Sequence, residues 1–245
     1  MNNKNVEILE KELIREFFKD MEGGLFVEVG ANEPDMILSQ TFHLEENLNW
    51  NGILVEPIDY LCEKLREKRL GSKTFQVACT SPIKVGKAIL RIPIDEEIEI
   101  TGHACLEVNV DHSLLHETRD VEVATTTLNV ILDEEGIKKV NFLSIDVEGT
   151  ELDVLKGFDI QKFAPELIIV EDRLVFLSKH NYLKRFGYQI FRRTGFNNWY
   201  TRKDKLPEIA FLVRMNLFRK IYLSSWIKRI RETLRMRTIK TFTQI

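Results

Sequence analysis

Four short apolar runs, each with a carboxylate or a glycine at or next to its end, constrain the fold more than anything else in this chain. GLFVEVG (24–30), GILVEP (52–57), VNFLSIDV (140–147) and PELIIVED (165–172) are largely apolar without two-residue alternation. Such runs read as strands buried on both faces, as in a parallel sheet covered by helices. The intervening segments agree. MILSQTFHLEENLN sets Ile37, Phe42, Leu44 and Leu48 at helical spacing, and after Pro57 a second helix places Leu61 and Leu65 four apart. TFQVACT (74–80) reads as a third strand, TLNVILDEEGI as a short helix ended by Gly136, and TELDVLKGFDIQKFA as a helix. A further helix is expected over 174–186, then a closing hairpin from YQIFRRTG and NNWYTR. Strands alternating with helices predict an α/β fold with a mostly parallel sheet.

Residues from 81 to 125 break the pattern. KAILRIPI and RDVEVATTTL read as strands, whereas DEEIEITGHACLEVNVDHSLLHE is polar, irregular and holds three of the five histidines. It is expected to be an insertion or loop over one sheet edge. The first twenty residues read as an amphipathic helix, too charged for a secretion signal. No apolar run reaches the roughly 18 residues of a spanning helix. Cys62, Cys79 and Cys105 lack CxxC spacing, which fits a reducing compartment and argues against disulfides or structural zinc. The expected location is cytoplasmic.

Net charge of −3 hides an asymmetry. From Thr201 onward there are 12 Lys/Arg against three acids, while the remaining 200 residues carry 23 basic and 35 acidic residues. The chain divides on this reading into a domain over 1–205 and a basic helical tail over 206–245. Leu223, Trp226, Ile227, Ile230 and Leu234 line one tail face at helical spacing, with Lys228, Arg229, Arg231 and Arg235 around it. Such a helix suits the inner face of a membrane, the protein's own body or another subunit of a homo-oligomer. Nucleic acid is not an expected partner, since no binding motif is present and the body is acidic.

Ligands of open α/β sheets bind beyond the carboxyl ends of the strands. Gly30 allows a tight turn there, but no other glycine follows until Gly52, so a GxGxxG dinucleotide fingerprint is absent. Glu56 follows the second run about 25 residues later, placed to accept both hydroxyls of a ribose. An adenosyl ligand without pyrophosphate, such as S-adenosylmethionine, fits that pair.

Acids crowd the other two strand ends. Asp146 and Glu148, two apart, should point the same way if the strand stays extended, and Glu171 and Asp172 end the neighbouring run. Carboxylates that close demand a shared proton or a cation. Either Asp146 or Glu148 acts as a general base, or Asp146, Glu148 and Glu171 ligate Mg²⁺, Mn²⁺ or Ca²⁺. A plain alternative has one acid capping the next helix and the others solvated. Glu151 and Asp153 belong to that helix's first turn. His43 is a second candidate base. His103, His112 and His116 are candidates to shape a ligand site, and Trp199 and Tyr200 either stack on a ligand ring or fill the core.

FVEVGANEPD, ILVEP, TTTLNVIL, NFLSIDVEGTELDVLKG and IIVED occur in that order from Leu25 to Asp172. Together they resemble the motifs of FkbM-type S-adenosylmethionine-dependent methyltransferases. SQTFHLEENLNWNGILVEP is similar to a branch with a Ser-x-Thr and a Leu-Glu helix before the second strand. Glu28 stands where many relatives have Asp. The resemblance implies a class I, Rossmann-like methyltransferase fold of seven strands with the last antiparallel. It also implies O-methylation, often of sugars in glycans, lipopolysaccharides or natural products. By the same resemblance Glu28, Gly30 and Asn32 surround the cofactor's methionine part, and Glu56 holds its ribose. Ala78 and Cys79 lie near the adenine, and Asp146 also touches the cofactor. The expected acceptor is a saccharide hydroxyl, lipid-linked if the tail meets a membrane. The rival expectation is a non-catalytic module that keeps the fold and binds through its tail.

Overall fold

Helix α1 (Asn3–Phe18) opens the chain as its amphipathic pattern requires, burying Ile14 and Phe18 four residues apart. The Phe18 ring meets Trp50 edge-on, with centroids 4.9 Å apart. A computed structural model describes residues 3–34, 39–95, 98–106, 117–228 and 230–231. They fall in two compact units, Met1–Glu171 and Asp172–Ile245.

In the first unit, β1 (Leu25–Val29) leads to α2 (Phe42–Leu48), β2 (Asn51–Val55), α3 (Asp59–Lys68) and β3 (Ser72–Phe75). There follow β4 (Ala78–Cys79), β5 (Gly86–Asp95), β6 (Ile98–Glu99), β7 (Cys105–Leu106), β8 (Glu117–Thr126) and α4 (Leu128–Glu134). The unit closes with β9 (Phe142–Ile145), α5 (Glu151–Lys156), α6 (Ile160–Phe163) and β10 (Leu167–Glu171). All four opening apolar runs become parallel strands, in the spatial order β10-β9-β1-β2-β3. Phe26, Val27, Leu54, Phe142, Leu143 and Ile168 are almost wholly inaccessible. The continuous apolar character of these runs thus reflects burial on both sheet faces.

One expectation needs correction. TFQVACT is not one strand. The chain kinks where Val77 N–H donates to the Phe75 carbonyl, and Ala78 and Cys79 pair with Thr125 and Thr126 in a second sheet. The two strands expected in the middle segment form, and the described part of its polar stretch adds β6 and β7. Strands β5 and β8 pair antiparallel from Gly86↔Thr125 to Ile94↔Glu117, and Leu90, Ile92 and Val123 pack against Ile58 and Leu61. His112 and His116 lie outside the described residues, as does Leu234 of the tail.

The second unit holds α7 (Ser178–Arg185), the antiparallel hairpin β11 (Tyr188–Thr194) and β12 (Asn197–Arg202), and α8 (Phe211–Phe218). A π-helical turn over Arg219–Leu223 continues α8, and helix resumes beyond it. Leu217 and Ile221 pack with Leu174, against Leu177 and Ile190. The mixed α/β class with a large, mostly parallel sheet is as the sequence predicts. No described helix is long and apolar enough to cross a membrane.

Candidate active site

Register places the strand-end residues on one rim. Val29 pairs with Val55 on one side and Ile145 on the other, and Ile145 pairs with Val170. The next residues along are Gly30, Glu56, Asp146 and Glu171, so all four leave their strands at one level. The chain runs outward from β1 through β2 to β3, then returns to β9 and β10 on its other side. The β1/β9 junction is therefore the point where strand order reverses, the usual ligand crevice of such sheets.

Gly30 sits at that junction with φ +85, and a Cβ there would lie 1.8 Å from the Asp146 carbonyl oxygen. Asp146 N–H in turn donates to the Val29 carbonyl at 3.0 Å. Only glycine lets the two strand exits approach this closely. Asn32 is also left-handed, φ 49, which turns its N–H onto the Glu56 carboxylate at 2.9 Å. The other Glu56 oxygen accepts from Ile58 N–H at 3.0 Å. Burial dominates over these two bonds and pushes the Glu56 pKa up to about 7.

Asp146, Glu148 and Glu171 each offer an oxygen within 4.8 Å of the others. Their convergence does not come from an extended strand, as first expected. Strand β9 ends at Ile145, and the chain then turns through Glu148 at φ 54 and Gly149 at φ 116. A non-glycine residue in the left-handed region carries strain of about 1 kcal/mol or more, a pattern that concentrates at functional sites. The turn is closed by Glu151, fully buried, whose carboxylate accepts from Gly149 N–H at 2.7 Å. Glu151 thus steadies the start of α5, and Glu151 and Asp153 both occupy its first turn. Asp146 is exposed, with Glu148 and Glu171 half-buried, and protein packs around its carboxylate. That crowding, with the charges of Glu171, Glu148, Glu151 and Glu10, raises its pKa well above the carboxylate range. Asp172 does not join the trio. It accepts from Leu174 N–H at 2.9 Å and lies 3.6 Å from the Lys179 ammonium in the second unit.

Glu28 occupies a buried network that sequence reasoning missed. Its carboxylate accepts from Thr41 Oγ1 at 2.6 Å, Ser39 Oγ at 3.1 Å and Gln40 N–H at 3.1 Å. Arg69, wholly inaccessible, donates to Ser39, Thr41 and Glu45, with Glu28 at 3.7 Å. The Ser-x-Thr and Leu-Glu pattern was the available signal, since Ser39, Thr41 and Glu45 are its polar members. A second chain joins Ser144 Oγ to Gln40 and Gln40 to Glu10 of α1, extending the polar surroundings of the Asp146 strand end. Nothing in the periodicity of α1 marked Glu10.

His43 is buried on α2 and does not enter the carboxylate trio. Burial, followed by Lys11, Arg15 and Arg69, holds its pKa down to about 4. Ala78 and Cys79 are buried, and burial pushes the Cys79 thiol up to about 12. His103 is exposed on a turn whose Thr101 donates to Asn32 Oδ1 at 2.9 Å. This turn of the second sheet therefore borders the Gly30–Asn32 loop. Trp199 and Tyr200 are sealed in the second unit, with at most 1% exposure, so neither is available to a sugar ring.

A crevice at the strand-order reversal of a mostly parallel α/β sheet, edged by strand-end acids, is the arrangement of a methyltransferase-class fold. Comparison with known proteins supports that class. The family model of the methyltransferase FkbM domain matches residues 28–196, and the chain belongs to this family. A 47-residue stretch is 47% identical to Methyltransferase 1 of Beauveria bassiana (strain ARSEF 2860), spanning 19% of each protein. Among solved structures, the METTL16 methyltransferase domain aligns at a TM-score of 0.43 and 10% identity, over 78% of this chain and 64% of that one.

Proposed function

We propose that the protein is an S-adenosylmethionine-dependent O-methyltransferase acting on a hydroxyl of a saccharide. One observation carries the reading: Gly30, Glu56 and the Asp146–Glu148–Glu171 trio share a rim at the β1/β9 junction. The residues present fit the cofactor. Glu56 offers a carboxylate to two ribose hydroxyls, and the acidic rim suits a ligand with a sulfonium and an ammonium group. When bound, the cofactor supplies an electrophilic methyl for in-line transfer. Asp146, with its raised pKa, is matched to accept the proton of an acceptor hydroxyl near neutral pH. Three clustered carboxylates suit a neutral, hydroxyl-bearing acceptor and repel a phosphorylated one, which favours a sugar and disfavours nucleic acid.

The spacing of the trio favours a second reading of the same step. Oxygens on opposite sides of Mg²⁺ lie about 4 Å apart and those around Ca²⁺ about 5 Å, so the 4.8 Å limit admits a divalent cation. Such an ion would lower the acceptor's pKa in place of a carboxylate base. Calorimetry with S-adenosylmethionine and release of S-adenosylhomocysteine over a panel of saccharides test the proposal. No binding at millimolar cofactor would overturn the enzyme reading and favour the non-catalytic module. Activity surviving a strong chelator, unchanged by added Mg²⁺, Mn²⁺ or Ca²⁺, would remove the metal reading alone.

A further inference from the structure

Ten of the eighteen exposed large apolar side chains among the described residues fall between Phe211 and Ile230. They include Leu212 at 79% exposure, Trp226 at 66% and Leu223 at 57%. The other eight are scattered from Ile8 to Phe196, as on any soluble surface. A continuous run of this kind marks an interaction surface.

The helix is already anchored along one side. Leu217, Ile221 and Ser225, at intervals of four, are its buried residues. Tyr222 hydroxyl lies 3.3 Å from His180 Nε2, and Lys228 donates to the Arg173 carbonyl at 2.7 Å. These contacts fix its orientation on the second unit, so Leu212, Leu223, Trp226 and Ile227 cannot rotate inward to join Leu174 and Ile190. The expected tail face, Leu223 to Ile230, is thus the exposed one, and a different stripe packs on the rest of the second unit.

Charge decides the occupant. Residues 211–231 contain six Lys/Arg and no Asp or Glu. Arg214, Arg219, Lys220 and Arg231 are exposed among the apolar side chains. A second copy would offer excess acids to the cations but, among the described residues, no comparable exposed apolar run outside this helix. An anionic lipid surface offers both, with head groups for the cations and acyl chains for the apolar residues. We infer that the helical segment over residues 211–228 docks flat on anionic lipid, lying in the interface rather than spanning it. For a saccharide methyltransferase, this would hold the protein on a membrane that carries lipid-linked acceptors.

Tryptophan placement gives a direct test. Of the three tryptophans, Trp50 and Trp199 are inaccessible and only Trp226 is exposed. A change in intrinsic emission on lipid contact therefore reports the tail. Full-length protein is titrated with vesicles of phosphatidylcholine alone or mixed with phosphatidylglycerol, and sedimented in parallel. The expected result is a blue shift and co-sedimentation with the anionic vesicles, about tenfold or more above neutral ones, and weakened by salt. Trp226→Phe removes the shift, and the Leu223→Glu/Ile227→Glu double variant, altered only at exposed positions, removes binding without changing the thermal midpoint. No sedimentation with anionic vesicles, or equal binding to neutral ones, overturns the inference. So does a lipid-free chain that is dimeric with Trp226 already blue-shifted, which would assign the face to a second copy. None of these outcomes depends on methyl transfer, so failure here leaves the enzymatic proposal standing.

Discussion

Replacing Glu56 by Gln should separate what this residue does for the fold from what it does for the site. Its carboxyl titrates at about 7 in the folded chain, against 4.5 ordinarily. The folded state therefore binds this proton more tightly than the unfolded state does. Stability from this group is full below about pH 4.5 and is lost as pH rises through about 7, the loss reaching about 3 kcal/mol. Gln cannot ionise, so Glu56→Gln escapes that loss. It pays at all pH values for a different reason: a carboxamide has one acceptor oxygen for the two backbone donors of Asn32 and Ile58. One unsatisfied N–H costs about 1–3 kcal/mol. The variant should be clearly less stable than the parent at about pH 5 and near equal at about pH 8, a swing of about 2–3 kcal/mol. Urea unfolding of both proteins at the two pH values measures it. Calorimetry should show the variant losing cofactor affinity while it gains relative stability at high pH. Stability curves that run parallel between the two pH values would refute the assignment of a buried, proton-holding carboxyl.

Asp146→Asn should lower turnover by about 10²–10⁴, more than it lowers cofactor affinity, and should abolish the acid limb of the rate profile. In the parent that limb rises with pH, because an acceptor of protons must be ionised, through an apparent pKa well above the carboxylate range. Gly30→Ala forces a Cβ to within 1.8 Å of a backbone oxygen and should cost about 3 kcal/mol or more by thermal unfolding. Gly136→Ala has nothing within 4 Å and should cost only about 1–2 kcal/mol for its φ of +68; equal losses would refute the close approach at the β1/β9 junction. Arg69→Met leaves Glu28 and Glu45 buried without their cation and should destabilise by about 3–5 kcal/mol, read by chemical denaturation.

Much of the scaffold was legible because burial on both sheet faces writes itself as unbroken apolar runs, and because the rim acids follow those runs directly. The unread parts depend on partners remote in sequence. Arg69 stands in EKRLGS, a helix end that locally resembles any solvated surface, and only the fold brings Glu28 and Glu45 to it. Ala78 and Cys79 continue an apolar run, but periodicity does not say which sheet a strand joins. Glu148 was assigned its direction by strand alternation, a rule that lapses where Ile145 ends the strand and the chain turns left-handed. The tail posed the same problem in helical form. Its apolar residues surround most of its circumference, so the pattern alone could not choose between the stripe Leu217–Ile221 and the face Leu223–Ile230. An amphipathic helix that serves only its own core needs one apolar stripe. A helix that packs one stripe on the body and keeps a second, cation-flanked face exposed has apolar residues to spare for a second partner.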